Sequence, residues 1–98
     1  MPIQRQININ KSGSSVTFSP NPLSANALDQ IFWTNNDDQP HWPGLADDTG
    51  KVTDPTFFMP NQIAANGDVS PIFAPSGAAT YKYACSLHAN ETGTITVS

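Results

Sequence analysis

The chain contains one cysteine and two histidines. Cys85 and His88 stand three residues apart in the run Tyr81-Lys82-Tyr83-Ala84-Cys85-Ser86-Leu87-His88. His41 lies 44 residues before Cys85, directly after Pro40. A thiolate and two imidazoles form a donor set suited to copper or zinc. Singly, each residue says little: a lone buried cysteine is usually a small apolar filler, and a lone loop histidine is usually solvated. Cys85 and His88 also have the chemistry of a nucleophile and its base. No oxyanion site or orienting third group accompanies them, so no enzyme is expected. Gly-rich phosphate loops are absent.

One ion can collect all three residues only if the elements that carry them converge. Gln6-Ile7-Asn8-Ile9-Asn10 alternates with period two and predicts a half-buried strand. Lys11 to Ser14 reads as a turn. Ser15 to Ser19 predicts a second strand, stopped by Pro20 and Pro22. Leu23 to Leu28 is ambiguous. Gln30 to Asn35 is rich in β-branched and aromatic residues and predicts a strong strand. Residues 36 to 68 read as mostly irregular, broken by Pro40, Pro43, Gly44, Gly50, Pro55, Pro60 and Gly67. Val69 to Phe73 predicts a strand that Pro71 confines to an edge. Ala79 to Cys85 and Thr94 to Val97 predict the last two strands. An all-β chain follows, an antiparallel sandwich or Greek-key barrel of about seven to eight strands on this reading. Loops gathered at one end of a sandwich would bring His41, Cys85 and His88 together.

Composition agrees. Ninety-eight residues make one domain, 1–98. Nine prolines and six glycines punctuate the chain throughout, as short strands and turns require. The net charge is −4, and Arg5, Lys11, Lys51 and Lys82 are the only lysines and arginines. No basic stripe exists for nucleic acid, and an anionic membrane surface would repel the chain. No apolar segment reaches membrane-spanning length, so no membrane insertion is expected. Met1 to Gln6 lacks the apolar core of a signal peptide. The chain is therefore read as made without a signal, or as a mature domain with a replaced start. A single cysteine makes no internal disulfide.

The ordered set Phe18-Ser19-Pro20, Ile31-Phe32-Trp33-Thr34-Asn35, Pro40-His41, Phe73-Ala74-Pro75-Ser76-Gly77, Tyr81 to His88 and Gly93-Thr94-Ile95-Thr96-Val97 resembles the cupredoxins, the small blue-copper proteins, in their plastocyanin-like branch. The resemblance covers nearly the whole chain. It implies a Greek-key β-sandwich that binds one copper ion, cycles between Cu(I) and Cu(II), and transfers single electrons to or from a redox protein partner. It implies His41, Cys85 and His88 as the three strong ligands, a monomer, and a periplasmic or extracellular location. The alternative is a copper carrier, storage or sensor module without electron relay, or a copper site open to a small molecule.

Two positions depart from the family pattern. The weak axial methionine expected after the last histidine is missing, since the only methionines are Met1 and Met59. Glu91 occupies the matching position. It is read as a fourth metal ligand or as a solvated loop glutamate. A third reading brings in Met59 or a backbone carbonyl near Gln39. A carboxylate there would favour Cu(II), lower the potential and move the colour from blue toward green or red. The second departure is Trp42, where relatives often carry a small polar residue that ties the ligand loops together. The indole is read either as a cover that keeps water off the copper or as an ordinary packed side chain. Asp37, Asp38, Asp47, Asp48 and Asp54 bracket His41 and are read as solvated loop carboxylates. As a cluster they could instead steer a cationic redox partner. Leu87 and Ala89 flank His88 and suit an apolar docking patch.

Overall fold

The computed structural model describes residues 3–88 and 90–98. Nine strands are present among them: β1 (Gln4–Ser12), β2 (Ser15–Ser19), β3 (Leu23–Ala25), β4 (Gln30–Asn35), β5 (Pro43–Ala46), β6 (Val52–Asp54), β7 (Asp68–Val69), β8 (Ala79–Cys85) and β9 (Thr92–Val97). They form two sheets, ordered β2-β1-β4-β7 and β3-β9-β8-β5-β6. Most neighbours are antiparallel, while β1 with β4 and β3 with β9 run parallel. The chain therefore crosses between sheets several times, as an all-β sandwich requires. Counting the two- and three-residue strands β3, β6 and β7 brings the total to nine.

Alternation builds the interior. Ile7 and Ile9 on β1, Ile31 and Trp33 on β4, and Ile95 and Val97 on β9 all face inward and are buried. Tyr83 of β8 packs its ring edge-on against Trp33 and Phe18, with centroids 5.3 and 4.9 Å apart. Each such pair adds about 0.5–1.5 kcal/mol beyond the area it buries. Directly across the β8–β9 ladder from Tyr83 is Gly93. A Cβ there would overlap the tyrosine ring, so only glycine lets the ring lie flat over β9.

Two stretches differ from the sequence expectation. The segment 36–68 contains β5 and β6. Pro43 opens β5, where its missing N–H is tolerated. Gly44 has Pro55 and Ser86 so close that a side chain would collide. The breakers that suggested a loop are thus positional requirements of a strand paired on both sides, with β6 and β8. The strand expected over Val69–Phe73 shrinks to Asp68–Val69, plus one bridge between Phe73 and Ile31. Pro71 cannot donate to a ladder. Ser70 compensates: its N–H donates to the Trp33 carbonyl, and its hydroxyl accepts the Trp33 N–H at 2.9 Å.

Candidate metal centre

Three segments meet at one pole of the sandwich. The loop leaving β4 carries Asp37 and His41. Cys85 ends β8. His88 and Glu91 stand in the loop between β8 and β9. Backbone bonds fix the meeting point. His41 and Ile63 exchange both N–H···O bonds, at 3.2 and 2.7 Å. The Cys85 N–H donates to the Glu91 carbonyl (2.9 Å), and the Ser86 N–H to the Trp42 carbonyl (2.7 Å). The Trp42 N–H donates to Cys85 Sγ at 3.4 Å. Trp42 thus joins the two ligand loops through its main chain, where relatives were expected to use a polar side chain. Its indole N–H points away, to the Met59 carbonyl at 3.4 Å. Met59 itself is buried in the core cluster. The Gln39 carbonyl already accepts a bond from the Asn35 side chain at 2.8 Å.

One donor atom from each of His41, Cys85, His88 and Glu91 lies within 4.8 Å of all the others. Cys85 Sγ is 3.4 Å from His88 Nδ1 and 3.7 Å from His41 Nδ1. Glu91 Oε1 is 2.9 Å from His41 Nδ1 and 3.5 Å from His88 Nδ1. Sequence reasoning therefore named four residues that the fold brings together, from both halves of the chain. The His41 side chain is 1% exposed and that of His88 31%. One imidazole is sealed in while the other reaches solvent beside the exposed Leu87. Ala89, the other residue expected in an apolar patch here, lies outside the described residues.

Asp37 corrects the reading of the acidic loop. It is buried, and its Oδ2 lies 2.7 Å from His41 Nε2. Burial pushes its carboxyl toward protonation, but the hydrogen bonds from the His41 ring and the Asp38 N–H outweigh this and hold its pKa below the ordinary value. The signal was present in the sequence. Ile31, Trp33 and Asn35 alternate inward along β4, and Asp37 is the next inward position, past the end of the strand. Asp47 is exposed and caps its own turn through Thr49 and Lys51, as a loop carboxylate commonly does.

The fit of a cation follows from the lone pairs. An ionised Asp37 only accepts, so His41 Nε2 is the donor of that pair, and Nδ1 is the ring atom left for a metal, which takes it without a proton. Nδ1 faces Glu91 Oε1 at 2.9 Å. Although the two atoms are close enough for an ion pair, their alignment is not that of a hydrogen bond, and buried Oε1 has no hydrogen-bond donor. A carboxylate oxygen, a sulfur and two imidazole nitrogens gathered within 4.8 Å form a donor set that fits a metal ion. Burial pushes the Cys85 thiol up and Glu91 adds to the rise, while backbone N–H groups, Trp42 foremost, act in the opposite sense. The sulfur binds a metal as thiolate, so a bound cation must displace that proton. Soft sulfur and borderline imidazoles suit copper in both oxidation states.

Comparison with known proteins agrees with this chemistry. Residues 5–98 match the copper binding proteins, plastocyanin/azurin family. Among solved structures, the fold is similar to the "Novel Purple Cupredoxin from Nitrosopumilus maritimus", with a TM-score of 0.77 and 31% identity over 95% of this chain and 98% of that one. It is also similar to amicyanin from Paracoccus versutus, with a TM-score of 0.70 and 16% identity over 99% of this chain and 81% of that one. A mutant amicyanin in its reduced state gives a TM-score of 0.72 and 18% identity over 99% of this chain and 82% of that one. No curated protein sequence matches the chain. The all-β sandwich, the donor cluster and the match over residues 5–98 together make this chain a member of the copper-binding cupredoxins of the plastocyanin/azurin family, with copper as its cofactor.

Proposed function

We propose that this protein carries single electrons on one copper ion held by His41, Cys85, His88 and Glu91. The observation that carries the reading is the cluster of four donor atoms, His41 Nδ1 and Glu91 Oε1 at 2.9 Å, closed in by Cys85 Sγ and His88 Nδ1. Bound copper would supply a one-electron couple between Cu(II) and Cu(I). The residues do the rest. The Trp42 N–H donating to the sulfur and the Cys85 N–H donating to the Glu91 carbonyl hold Cys85 in place, which keeps rearrangement small when the charge changes. His41 anchors the buried side. The solvent-reaching His88 ring offers the contact edge to a redox protein, with Leu87 as apolar surface beside it. The overall charge of −4 favours a cationic partner.

Glu91 in place of a thioether makes the fourth donor a hard oxygen. We expect a colour away from blue, and the description of the Nitrosopumilus maritimus relative as purple supports that expectation. Voltammetry of the copper-loaded chain tests the proposal. A reversible one-electron wave with rapid self-exchange is expected. An irreversible wave would overturn electron carriage in favour of copper transport or storage. A visible spectrum that shifts on adding azide would favour a site open to a small molecule.

A further inference from the structure

We propose that Asp37 is a positioning residue of the copper centre, holding His41 with Nδ1 toward the metal and placing a fixed negative charge behind that ligand. The inference rests on the copper reading above. The geometry is over-determined. Asp37 Oδ2 meets His41 Nε2 at 2.7 Å, and Oδ1 accepts the Asp38 N–H at 2.7 Å, so the carboxylate cannot swing away without losing a bond. Its main chain is held from both sides. The Asp37 N–H donates to Asn35 Oδ1 at 3.0 Å, and the Asn66 N–H donates to the Asp37 carbonyl at 2.9 Å. Asn35 is buried too, and its amide donates to the carbonyls of Gln39, Ile63 and Ala64. A buried polar network this complete serves a fixed geometry, since any member left unpaired would be costly.

Loop support alone would not require a charge at the imidazole. An asparagine, a serine or a backbone carbonyl would accept the same proton. Asp37 is a carboxylate held between two hydrogen-bond partners, His41 Nε2 and the Asp38 N–H, so behind Cys85 and Glu91 the metal would face a third acidic group through the ring. On the buried side of the site, where Asp37 and His41 lie, such charges act strongly. They stabilise the doubly charged ion more than the singly charged one. Asp37 therefore raises affinity for Cu(II) and lowers the reduction potential, as a carboxylate behind a ligating histidine raises its basicity.

The test compares wild type with Asp37→Asn, measuring the Cu(II) dissociation constant by chelator competition and the midpoint potential by voltammetry. The variant should bind Cu(II) about 10- to 100-fold more weakly, with its potential moved positive. Unchanged affinity and potential in a variant that still takes one copper would overturn the inference and leave the copper reading standing. A wild type that takes no copper would overturn both. Should the variant fail to fold, long-range proton–nitrogen NMR of the wild-type apo-protein reads the His41 tautomer directly. A proton on Nε2 is expected; a proton on Nδ1 with Nε2 bare would overturn the inference.

Discussion

Strand β4 has a buried aspartate at each end, Asp29 just before it and Asp37 just after it. The six residues of β4, at about 3.3 Å each, put roughly 20 Å of strand between the two. Asp29 is satisfied by the protein itself. It accepts the N–H groups of Ile3 (3.1 Å) and Asn26 (2.9 Å), and Arg5 Nε at 3.0 Å supplies a permanent positive charge. Those backbone bonds, together with Arg5, lower its pKa to about 2. Asp37 has an imidazole in place of an arginine, and beyond that ring stand Glu91 and Cys85. One end of the strand is closed by a side chain of the chain; in the proposed site, the other is closed by a bound ion. Asp29 therefore belongs to stability and Asp37 to the site, although both are buried carboxylates at the ends of one strand.

The largest effect should come from cutting the site end at its softest donor. Cys85→Ala should abolish the intense thiolate-to-copper absorption and weaken copper retention by more than the roughly 10–100-fold expected from supporting residues. The apo-protein should stay folded by circular dichroism, since alanine fits the space of a small buried side chain. A variant that keeps the band would break the assignment of Cys85.

Asp37→Asn is next, and it sharpens the comparison when read on both forms. The urea midpoint of the copper-loaded protein should fall more than that of the apo-protein, because the lost charge matters most when the ion is bound. Equal falls in the two forms would make Asp37 a structural residue like Asp29.

Acid should reveal the opposite end. A carboxylate whose folded pKa lies below its unfolded value contributes stability above the unfolded pKa, and that contribution is lost as pH falls through the folded one. For Asp29 the window runs from the ordinary 3.8 down to about 2. The resistance of the apo-protein to chemical denaturation should therefore fall as the pH drops across that range. Asp29→Asn should lower the midpoint at neutral pH, flatten that acid limb and leave copper affinity unchanged at pH 7. An undiminished acid limb would show that Asp29 does not hold its end of β4.

The smallest effect is expected at a place that serves neither end. Lys82 pairs with Asp48 at 3.0 Å on the surface, with both side chains well exposed. Exposed pairs contribute little, so Lys82→Ala should shift the thermal midpoint by the equivalent of about 0.5 kcal/mol or less. A larger loss would mean that this surface pair holds more of the sandwich than its exposure suggests.

Much of this was readable before the coordinates. The β-branched and aromatic runs of β1, β2, β4, β8 and β9 carry their own period-two pattern, and His41, Cys85 and His88 stand at strand ends where loops gather. Glu91 was legible only as one of three readings. Spacing within a loop does not say which way a side chain turns; the bond from the Cys85 N–H to the Glu91 carbonyl does. β5 was hidden because Pro43 and Gly44 look like breakers until their partners are known. Asp37 was hidden by its neighbours. Between Asn36 and Asp38, both exposed, it looks like part of a solvated run, and only the alternation carried on from β4 marks it as inward.

The most direct test of the account is a Cu(II) titration of the purified apo-protein, followed by visible absorption and electron paramagnetic resonance. One equivalent should produce an intense thiolate-to-copper band and a single copper signal, and both should change in Glu91→Gln. A wild-type protein that takes up no copper, or shows copper without the thiolate band, would contradict it.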